Sequence, residues 1–192
     1  MKKVIFATGN KGKLKEVKKI FADTGIEIIS LYDLGEVPEI IENGHTYQDN
    51  AIIKAKTIYE LYKMPVIADD SGLSVEQLGG QPGVHSARYA GEKCTYADNN
   101  NKLVSELAKY EEPHKAKFVC CAVFYNGEKI ESAFGELPGK IVTTPKGEHG
   151  FGYDPIFVPE GDCRTLAEYS GEEKNKISHR AKAFNALRRL IN

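Results

Sequence analysis

Apolar and polar residues alternate in blocks that divide the start of the chain into strands and a helix. Val4–Ala7 is a short apolar run followed by the turn-forming Thr8–Asn10, which predicts a buried strand and a tight loop. Apolar residues then recur at helical spacing through Leu14–Phe21, and Ile26–Ser30 is typical of a second strand. The chain therefore begins with a strand, a loop, a helix and another strand.

The next part of the chain repeats this order with a clearer helix start. Thr46 and Asp49 form a capping signal in front of the apolar stripe of Ala51–Tyr62, which predicts a helix. Pro65–Ala68 is typical of a short buried strand, which leads into the polar run Asp69–Gly72.

The second half of the chain carries a hairpin between two helices. Asn126–Gly127 separates the strand-like runs Ala116–Tyr125 and Glu128–Leu137, and this dipeptide strongly favours a hairpin turn. The apolar spacing of Thr95–Tyr110 and of Ser178–Ile191 predicts helices. A mixture of strands and helices with one hairpin predicts an α/β fold with a mixed sheet and flanking helices.

Composition and charge then exclude several classes of protein. A chain of 192 residues favours a single domain. Its 26 Lys and Arg against 27 Asp and Glu give a formal charge of -1, which argues against nucleic-acid or membrane-surface binding. We find no apolar run near the roughly 20 residues that cross a bilayer. The four cysteines form no CxxC pair, so we expect free thiols in a reducing cytoplasm rather than a zinc site.

The loop Thr8–Lys13 is a candidate phosphate site. It joins a strand to a helix, and such a corner directs backbone N–H groups and a helix dipole towards an anion. Lys13 lies in the first helical turn and could reach a phosphate, although the spacing does not match a Walker loop. An ordinary strand-to-helix turn remains an equal alternative.

Carboxylates supply a second candidate site. Asp69 and Asp70 follow a buried strand, and adjacent strand residues point to opposite faces, so one is expected to be a metal ligand or base and the other a loop cap. An Asx-rich turn is the alternative. Glu42 precedes a helix on which Asn50 and Lys54 share one face, and this set could hold Mg²⁺ and a phosphate or simply be a solvated helix start.

Two later segments could bind a nucleobase. Phe151 and Tyr153 offer stacking faces beside the acceptor Asp154, although an aromatic loop that fills the core is an equal alternative. An N-cap at Ser178 would place His179 and Arg180 in the first turn of the last helix, where cations oppose the helix dipole. A helix that continues back to Lys174 would instead place Arg180 on the apolar stripe, which is also unfavourable without an anion. We therefore expect an anion to approach these cations.

Together these segments resemble the house-cleaning nucleoside triphosphate pyrophosphatases, also called inosine triphosphate or XTP/dITP pyrophosphatases. Seven motifs occur in the order that the family has and span nearly the whole chain. They are TGNxxK at Thr8–Lys13, ExGxT at Glu42–Thr46, NAxxKA at Asn50–Ala55, ADDSGL at Ala68–Leu73, PGxxSARY at Pro82–Tyr89, GFGYDPxF at Gly150–Phe157 and KNxISHR at Lys174–Arg180.

The resemblance implies one nucleoside triphosphate pyrophosphatase domain over residues 1–192, elongated and two-lobed, with a nucleotide cleft at its centre. It also implies a homodimer, to which the free thiols add a cytoplasmic location and the charge of -1 adds the expectation of no nucleic-acid or membrane partner. It also implies that purine nucleoside triphosphates such as dITP, ITP and XTP are hydrolysed to the monophosphate and pyrophosphate, which removes them from the nucleotide pool before incorporation into DNA or RNA.

The resemblance further implies roles for individual residues. Asp70 would be the general base, and Glu42 and Asp70 would be ligands of Mg²⁺. Whether Asp70 or the metal activates the attacking water stays open. The implied substrate-binding residues are Thr8, Gly9, Asn10, Lys11, Gly12, Lys13, Lys54, Ser71, Arg88, Phe151, Gly152, Tyr153, Asp154, Lys174, His179 and Arg180.

Three other functions are alternatives to a purine nucleoside triphosphate pyrophosphatase. A pyrophosphatase that acts on modified pyrimidine triphosphates would share the chemistry and differ in its base. A nucleotide-binding regulator would bind dITP with Mg²⁺ and release no pyrophosphate, but it would have no use for a base. A nucleic-acid-binding module is disfavoured by the nearly neutral charge.

Overall fold

Six strands form one sheet in the computed structural model, which describes residues 2–35 and 37–191. The strands are β1 (Lys2–Phe6), β2 (Ile26–Ser30), β3 (Val66–Val75), β4 (His114–Tyr125), β5 (Ile130–Ile141) and β6 (Phe157–Pro159). Their order across the sheet is β2-β1-β3-β4-β5-β6. β1 is parallel to β2 and β3, whereas β5 is antiparallel to β6, so the predicted mixed sheet is confirmed.

Five α-helices occur in the described part of the chain. They are α1 (Lys11–Phe21), α2 (Tyr47–Tyr62), α3 (Tyr96–Leu107), α4 (Gly171–Ile177) and α5 (His179–Ile191). The predicted N-cap of α2 is confirmed, because Thr46 and Asp49 form a reciprocal capping box. α4 was not predicted, and the extended Ser178 separates it from α5. His179 and Arg180 therefore occupy the first turn of α5, as expected.

The chain divides into two compact units. The first consists of Met1–Asp70, Cys120–Gly135 and His179–Asn192, and the second of Ser71–Val119 and Glu136–Ser178. β3, β4 and β5 each contribute residues to both units. The single domain over residues 1–192 and the central nucleotide cleft stay predictions.

Both faces of the sheet are buried in the first unit. Along β1, Val4 and Phe6 pack in the cluster that contains α1 and α5, whereas Ile5 packs in the cluster that contains α2. Cys120 and Cys121 separate between these clusters in the same way, as strand alternation predicts. A separate core fills the second unit, where Leu103 and Leu107 of α3 meet residues of β3 to β6.

The alternative of an Asx-rich turn at Asp69–Gly72 is wrong, because β3 continues through it to Val75. A strand can carry charged residues into a buried sheet when partners neutralise them. Asp69 has two such partners, Lys13 and Arg180, both in distant parts of the sequence. The polar run is therefore part of a strand, and the buried carboxylate of Asp69 is paired across the fold.

Gly135 lets the start of α5 lie directly against β5. A Cβ atom on this residue would stand 2.1 Å from the carbonyl oxygen of His179 and 2.5 Å from the amide nitrogen of Ala183. The glycine thus fixes how closely the helix that carries Arg180 approaches the sheet. In the described ranges 2–35 and 37–191, no helix combines the length and the hydropathy that a bilayer span requires.

We expect Phe184→Ala to lower the free energy of unfolding by about 3–5 kcal/mol, the usual cost of removing a buried aromatic ring. Phe184 is fully buried on α5 and meets the rings of Phe6 and Phe21 edge-on, at centroid distances of 5.5 and 6.2 Å. Urea denaturation measures the loss. Leu190→Ala, on the same helix but 45% exposed, should change stability by only about 0.5 kcal/mol, and equal losses would contradict this packing.

Candidate active site

The loop before α1 is organised by its own N-cap. Asn10 Oδ1 accepts hydrogen bonds from the backbone N–H groups of Gly12 at 2.8 Å and of Lys13 at 3.1 Å. The backbone N–H of Asn10 donates to Thr8 Oγ1 at 3.2 Å. The sequence predicted backbone N–H groups aimed outward here, but those of Gly12 and Lys13 are already capped. What this loop adds to the site is therefore the position of Lys13 in the first turn.

Asp69 lies on one face of β3 and its side chain is fully buried. Its Oδ2 accepts from Lys13 Nζ at 3.0 Å and from Arg180 Nε at 3.2 Å. Cys120 Sγ donates to the same oxygen at 3.7 Å. Two cations, one from α1 and one from α5, thus converge on a single carboxylate oxygen.

Arg180 is itself buried and has a second acidic partner. Its Nη1 donates to Glu16 Oε2 at 2.7 Å, and its side chain is 3% exposed. The anions that we expected near this cation are thus, at least in part, carboxylates of the protein. Burial alone would lower the pKa of Arg180, but Asp69 and Glu16 raise it above its usual value.

Asp70 lies on the opposite face of β3 with partners from α2. Asn50 Nδ2 donates to Asp70 Oδ2 at 3.2 Å, and Lys54 Nζ lies 3.6 Å from Asp70 Oδ1. Lys54 also pairs with Glu42 Oε2 at 2.7 Å. Asn50 Oδ1 accepts from the Gly44 amide at 2.8 Å, which ties the loop after Glu42 to the helix. Two carboxylates therefore converge on one buried ammonium.

The two faces give the adjacent aspartates opposite acidities. Burial would raise the pKa of Asp69, but the charges of Lys13 and Arg180 outweigh burial and hold that pKa below its usual value. Burial dominates at Asp70 and raises its pKa above the usual value despite the opposing charge of Lys54. Asp69 therefore has the lower pKa of the two carboxyls, and Asp70 binds a proton more readily.

The predicted base-binding segment lies in the second unit, beside another buried ion pair. Lys174 Nζ lies 2.6 Å from Asp154 Oδ2, with both side chains at most 5% exposed. The same oxygen accepts from the Phe151 amide at 2.8 Å, and Lys174 Nζ lies 4.6 Å from the centroid of the half-buried Phe151 ring. Asp154 thus fixes both the loop and the lysine.

Four other residues that the sequence assigned to substrate binding range from buried to about half exposed. Tyr153 is 4% exposed and donates its hydroxyl to the Ser86 carbonyl at 2.8 Å, so its ring supports the loop rather than presenting a stacking face. Arg88 is about half exposed and lies 3.9 Å from the exposed Glu92. Ser71 is half-buried in β3 and His179 is buried at the start of α5.

Comparison with known proteins assigns the family. A model of the Ham1 family matches residues 4–190. The chain belongs to the Ham1 family. A relative named dITP/XTP pyrophosphatase from Bacillus subtilis (strain 168) is 48% identical over 193 aligned positions, which cover 100% of this chain and 98% of the relative. Another protein of that name, from Haemophilus influenzae, is 50% identical over 192 positions, with 97% of each chain covered.

Solved structures agree with this assignment. The Staphylococcus aureus Ham1 protein has a TM-score of 0.87 and 37% identity to this Ham1 chain, and covers 99% of this chain and 98% of its own. A HAM1 protein from Coxiella burnetii has a TM-score of 0.90 at 37% identity, and covers 100% of this chain and 98% of its own. The α/β fold is therefore that of known Ham1 proteins.

The carboxylates of this Ham1 chain suit Mg²⁺. Within residues 2–35 and 37–191, no group of three or more His, Cys, Asp and Glu side chains is placed to hold a metal ion. Mg²⁺ needs fewer, because it typically binds one or two carboxylates and completes its shell with water and substrate phosphates. Glu42 and Asp70 both pair with Lys54, at 2.7 and 3.6 Å, so two carboxylates of the kind that Mg²⁺ prefers meet at one ammonium.

Sequence reasoning missed Glu16, which completes the pairing of Arg180. A local signal existed, since Lys13 and Glu16 are three residues apart and opposite charges at that spacing share a helix face. The role of Asp69 was also misassigned, because a loop cap would be solvated and Asp69 is a buried anion between two helices.

Asp154→Asn should lower the free energy of unfolding by about 3–5 kcal/mol, because it leaves the Lys174 ammonium buried without its counter-charge. Glu136→Gln is the matched control. The pair of Glu136 with Lys117 is nearly as short as that of Asp154 with Lys174, at 2.8 Å against 2.6 Å, but both of its side chains are about half exposed. Exposed pairs contribute only about 0–1 kcal/mol. Urea denaturation of both variants decides, and a loss at Asp154 no larger than that at Glu136 would contradict the buried pair.

Proposed function

We propose that this Ham1 chain hydrolyses dITP, XTP and ITP to the monophosphate and pyrophosphate, and so removes non-standard purines from the nucleotide pool. Relatives named dITP/XTP pyrophosphatase that match nearly the full chain support this function. The observation that carries it is the arrangement at Asp70. A proton acceptor lies beside a second carboxylate and a buried lysine, which suits attack on a metal-bound triphosphate.

Asp70 would act as the general base. Asn50 donates to Asp70 Oδ2 and Lys54 lies near Oδ1, so the carboxylate is held in one orientation, in which it would accept the proton of the attacking water. The water would give its proton to Asp70 while its oxygen bonds to the α-phosphorus. The bond to the bridging oxygen breaks, and pyrophosphate leaves with that electron pair.

Lysines would offset the charge of the triphosphate. Lys13 and Lys54 both carry amino groups in the first unit, and Glu42 and Asp70 would hold Mg²⁺ there. When bound, Mg²⁺ neutralises phosphate oxygens and polarises the phosphorus that is attacked. Thr8, Asn10 and Ser71 are further candidate phosphate contacts.

Phe151 and Lys174 would recognise the base. Phe151 supplies an aromatic ring for stacking, and Lys174 supplies an ammonium held by Asp154. A lysine only donates hydrogen bonds, so it suits the 6-keto oxygen of hypoxanthine and xanthine. The 6-amino group of adenine would leave such a donor unpaired, which favours discrimination against ATP.

The assembly and location belong to the same proposal. We place the chain in the cytoplasm as a homodimer, on the strength of its resemblance to the house-cleaning pyrophosphatases. The formal charge of -1 supports the absence of a nucleic-acid or membrane partner, because such surfaces attract basic proteins.

Pyrophosphate release from dITP, XTP, dGTP, dATP and dTTP, each with and without Mg²⁺, tests the reaction and the base together. We expect turnover of dITP and XTP far above the others, and its loss when EDTA removes the metal. Binding of dITP without pyrophosphate release would instead identify a regulator. Turnover confined to dTTP would overturn the base assignment.

Asp70→Asn should lower kcat for dITP by at least about 100-fold, because the amide cannot accept the proton of the attacking water. Asp23→Asn, which neutralises an exposed carboxylate in the same unit, serves as the control and should keep near wild-type turnover. Steady-state kinetics at saturating dITP and Mg²⁺ give both values. Near wild-type kcat in Asp70→Asn would remove this residue from the mechanism.

Phe151→Ala should raise KM for dITP by about tenfold, because stacking of a base on an aromatic ring contributes about 1–3 kcal/mol. We expect a much smaller change in kcat. Tyr110→Ala removes a partly exposed ring of the same unit and should leave KM unchanged. If Phe151→Ala folds and binds dITP normally, the base does not stack on this ring.

A further inference from the structure

Four charged side chains form a closed set around the first turn of α1. Glu16 pairs with Arg180 at 2.7 Å, Arg180 pairs with Asp69 at 3.2 Å, and Asp69 pairs with Lys13 at 3.0 Å. The set starts and ends on α1, since Lys13 and Glu16 lie one helical turn apart. It therefore joins α1 to β3 through Asp69 and to α5 through Arg180.

Burial is uneven across this set. The side chains of Asp69 and Arg180 are 0% and 3% exposed, whereas those of Lys13 and Glu16 are 15% and 13% exposed. Asp69 is thus out of reach of a substrate, while Lys13 keeps part of its side chain exposed. A long lysine side chain has several rotatable bonds, and fixing it in one place costs conformational entropy.

We propose that Asp69 is a positioning residue, which holds the Lys13 ammonium in place for the leaving pyrophosphate group while Arg180 and Glu16 keep Asp69 anchored. This inference rests on the proposed function, because it takes Lys13 as a phosphate contact. Asp69 pays the ordering cost of Lys13 before the substrate arrives, and such preorganisation strengthens binding without a new contact.

A positioning role and a purely electrostatic role for Asp69 predict opposite effects of Asp69→Asn on pyrophosphate binding. Asp69 carries a negative charge 3.0 Å from the lysine that would meet pyrophosphate. If Asp69 acted on the ligand only through its charge, Asp69→Asn would remove a repulsion and tighten anion binding. If Asp69 acts by holding Lys13, the same substitution weakens binding although the protein gains positive charge.

Calorimetric binding of inorganic pyrophosphate in the presence of Mg²⁺ tests the proposal on the full chain. We expect Asp69→Asn to weaken binding by about fivefold or more, the size of a typical coupling between contacting residues. Lys13→Ala should weaken it too, and Asp69→Asn should cost nothing further in the Lys13→Ala background. A merely structural role for Asp69 would instead weaken binding in both backgrounds.

A matched control is Glu27→Gln, which neutralises a carboxylate paired with Lys3 at 3.9 Å on the exposed surface of the same unit and should not weaken binding. If Asp69→Asn does not fold, Glu16→Gln replaces it. That variant removes one acidic partner of Arg180, so Arg180 would draw more strongly on Asp69 and weaken the hold of Asp69 on Lys13. A smaller weakening is expected there, again absent in the Lys13→Ala background.

Three results would overturn the proposal. Unchanged or tighter pyrophosphate binding in Asp69→Asn, with Lys13→Ala weakened, would contradict positioning and leave the phosphate contact of Lys13 intact. A loss in Asp69→Asn that persists without Lys13 would make Asp69 structural. Normal pyrophosphate binding in Lys13→Ala would remove Lys13 from the proposed phosphate site, and the inference with it.

Discussion

Ion pairing at Asp69 is what allows β3 to carry two adjacent carboxylates through the interior of the sheet. An unpaired buried carboxylate would be protonated or would destabilise the fold. Lys13 and Arg180 prevent both outcomes at Asp69 on one face, while Asp70 on the other face meets Asn50 and Lys54. The alternation of a strand thus gives the two carboxylates of one dipeptide separate partners and opposite shifts in pKa.

The helices place the partners of these two carboxylates. α1 and α5 pack on one face of the first unit and bring Lys13 and Arg180 to Asp69, while α2 packs on the other face and brings Asn50 and Lys54 to Asp70. The same buried side chains therefore support both the core and the site. In the second unit, the pair of Asp154 with Lys174 has the corresponding role for the loop around Phe151.

Sequence reasoning succeeded where the signal was local. The bounds Ile26–Ser30 of β2 and the Thr46 cap of α2 depend on neighbouring residues, and both match the structure. It failed where partners are distant: Asp69 and Arg180 are 111 positions apart, so no local pattern shows that the polar run after Ala68 is a strand. α4 was not predicted, because it is short and its buried residue is Lys174, so it has no apolar periodicity.

The central claim is that Asp69 and Asp70 divide binding and chemistry between them. Single-turnover hydrolysis of dITP by rapid quench, at saturating enzyme and Mg²⁺, separates the two most directly. The account predicts a chemical step slowed by at least about 100-fold in Asp70→Asn and by much less in Asp69→Asn. An equally slow chemical step in both variants, or a slow step in Asp69→Asn alone, would contradict it.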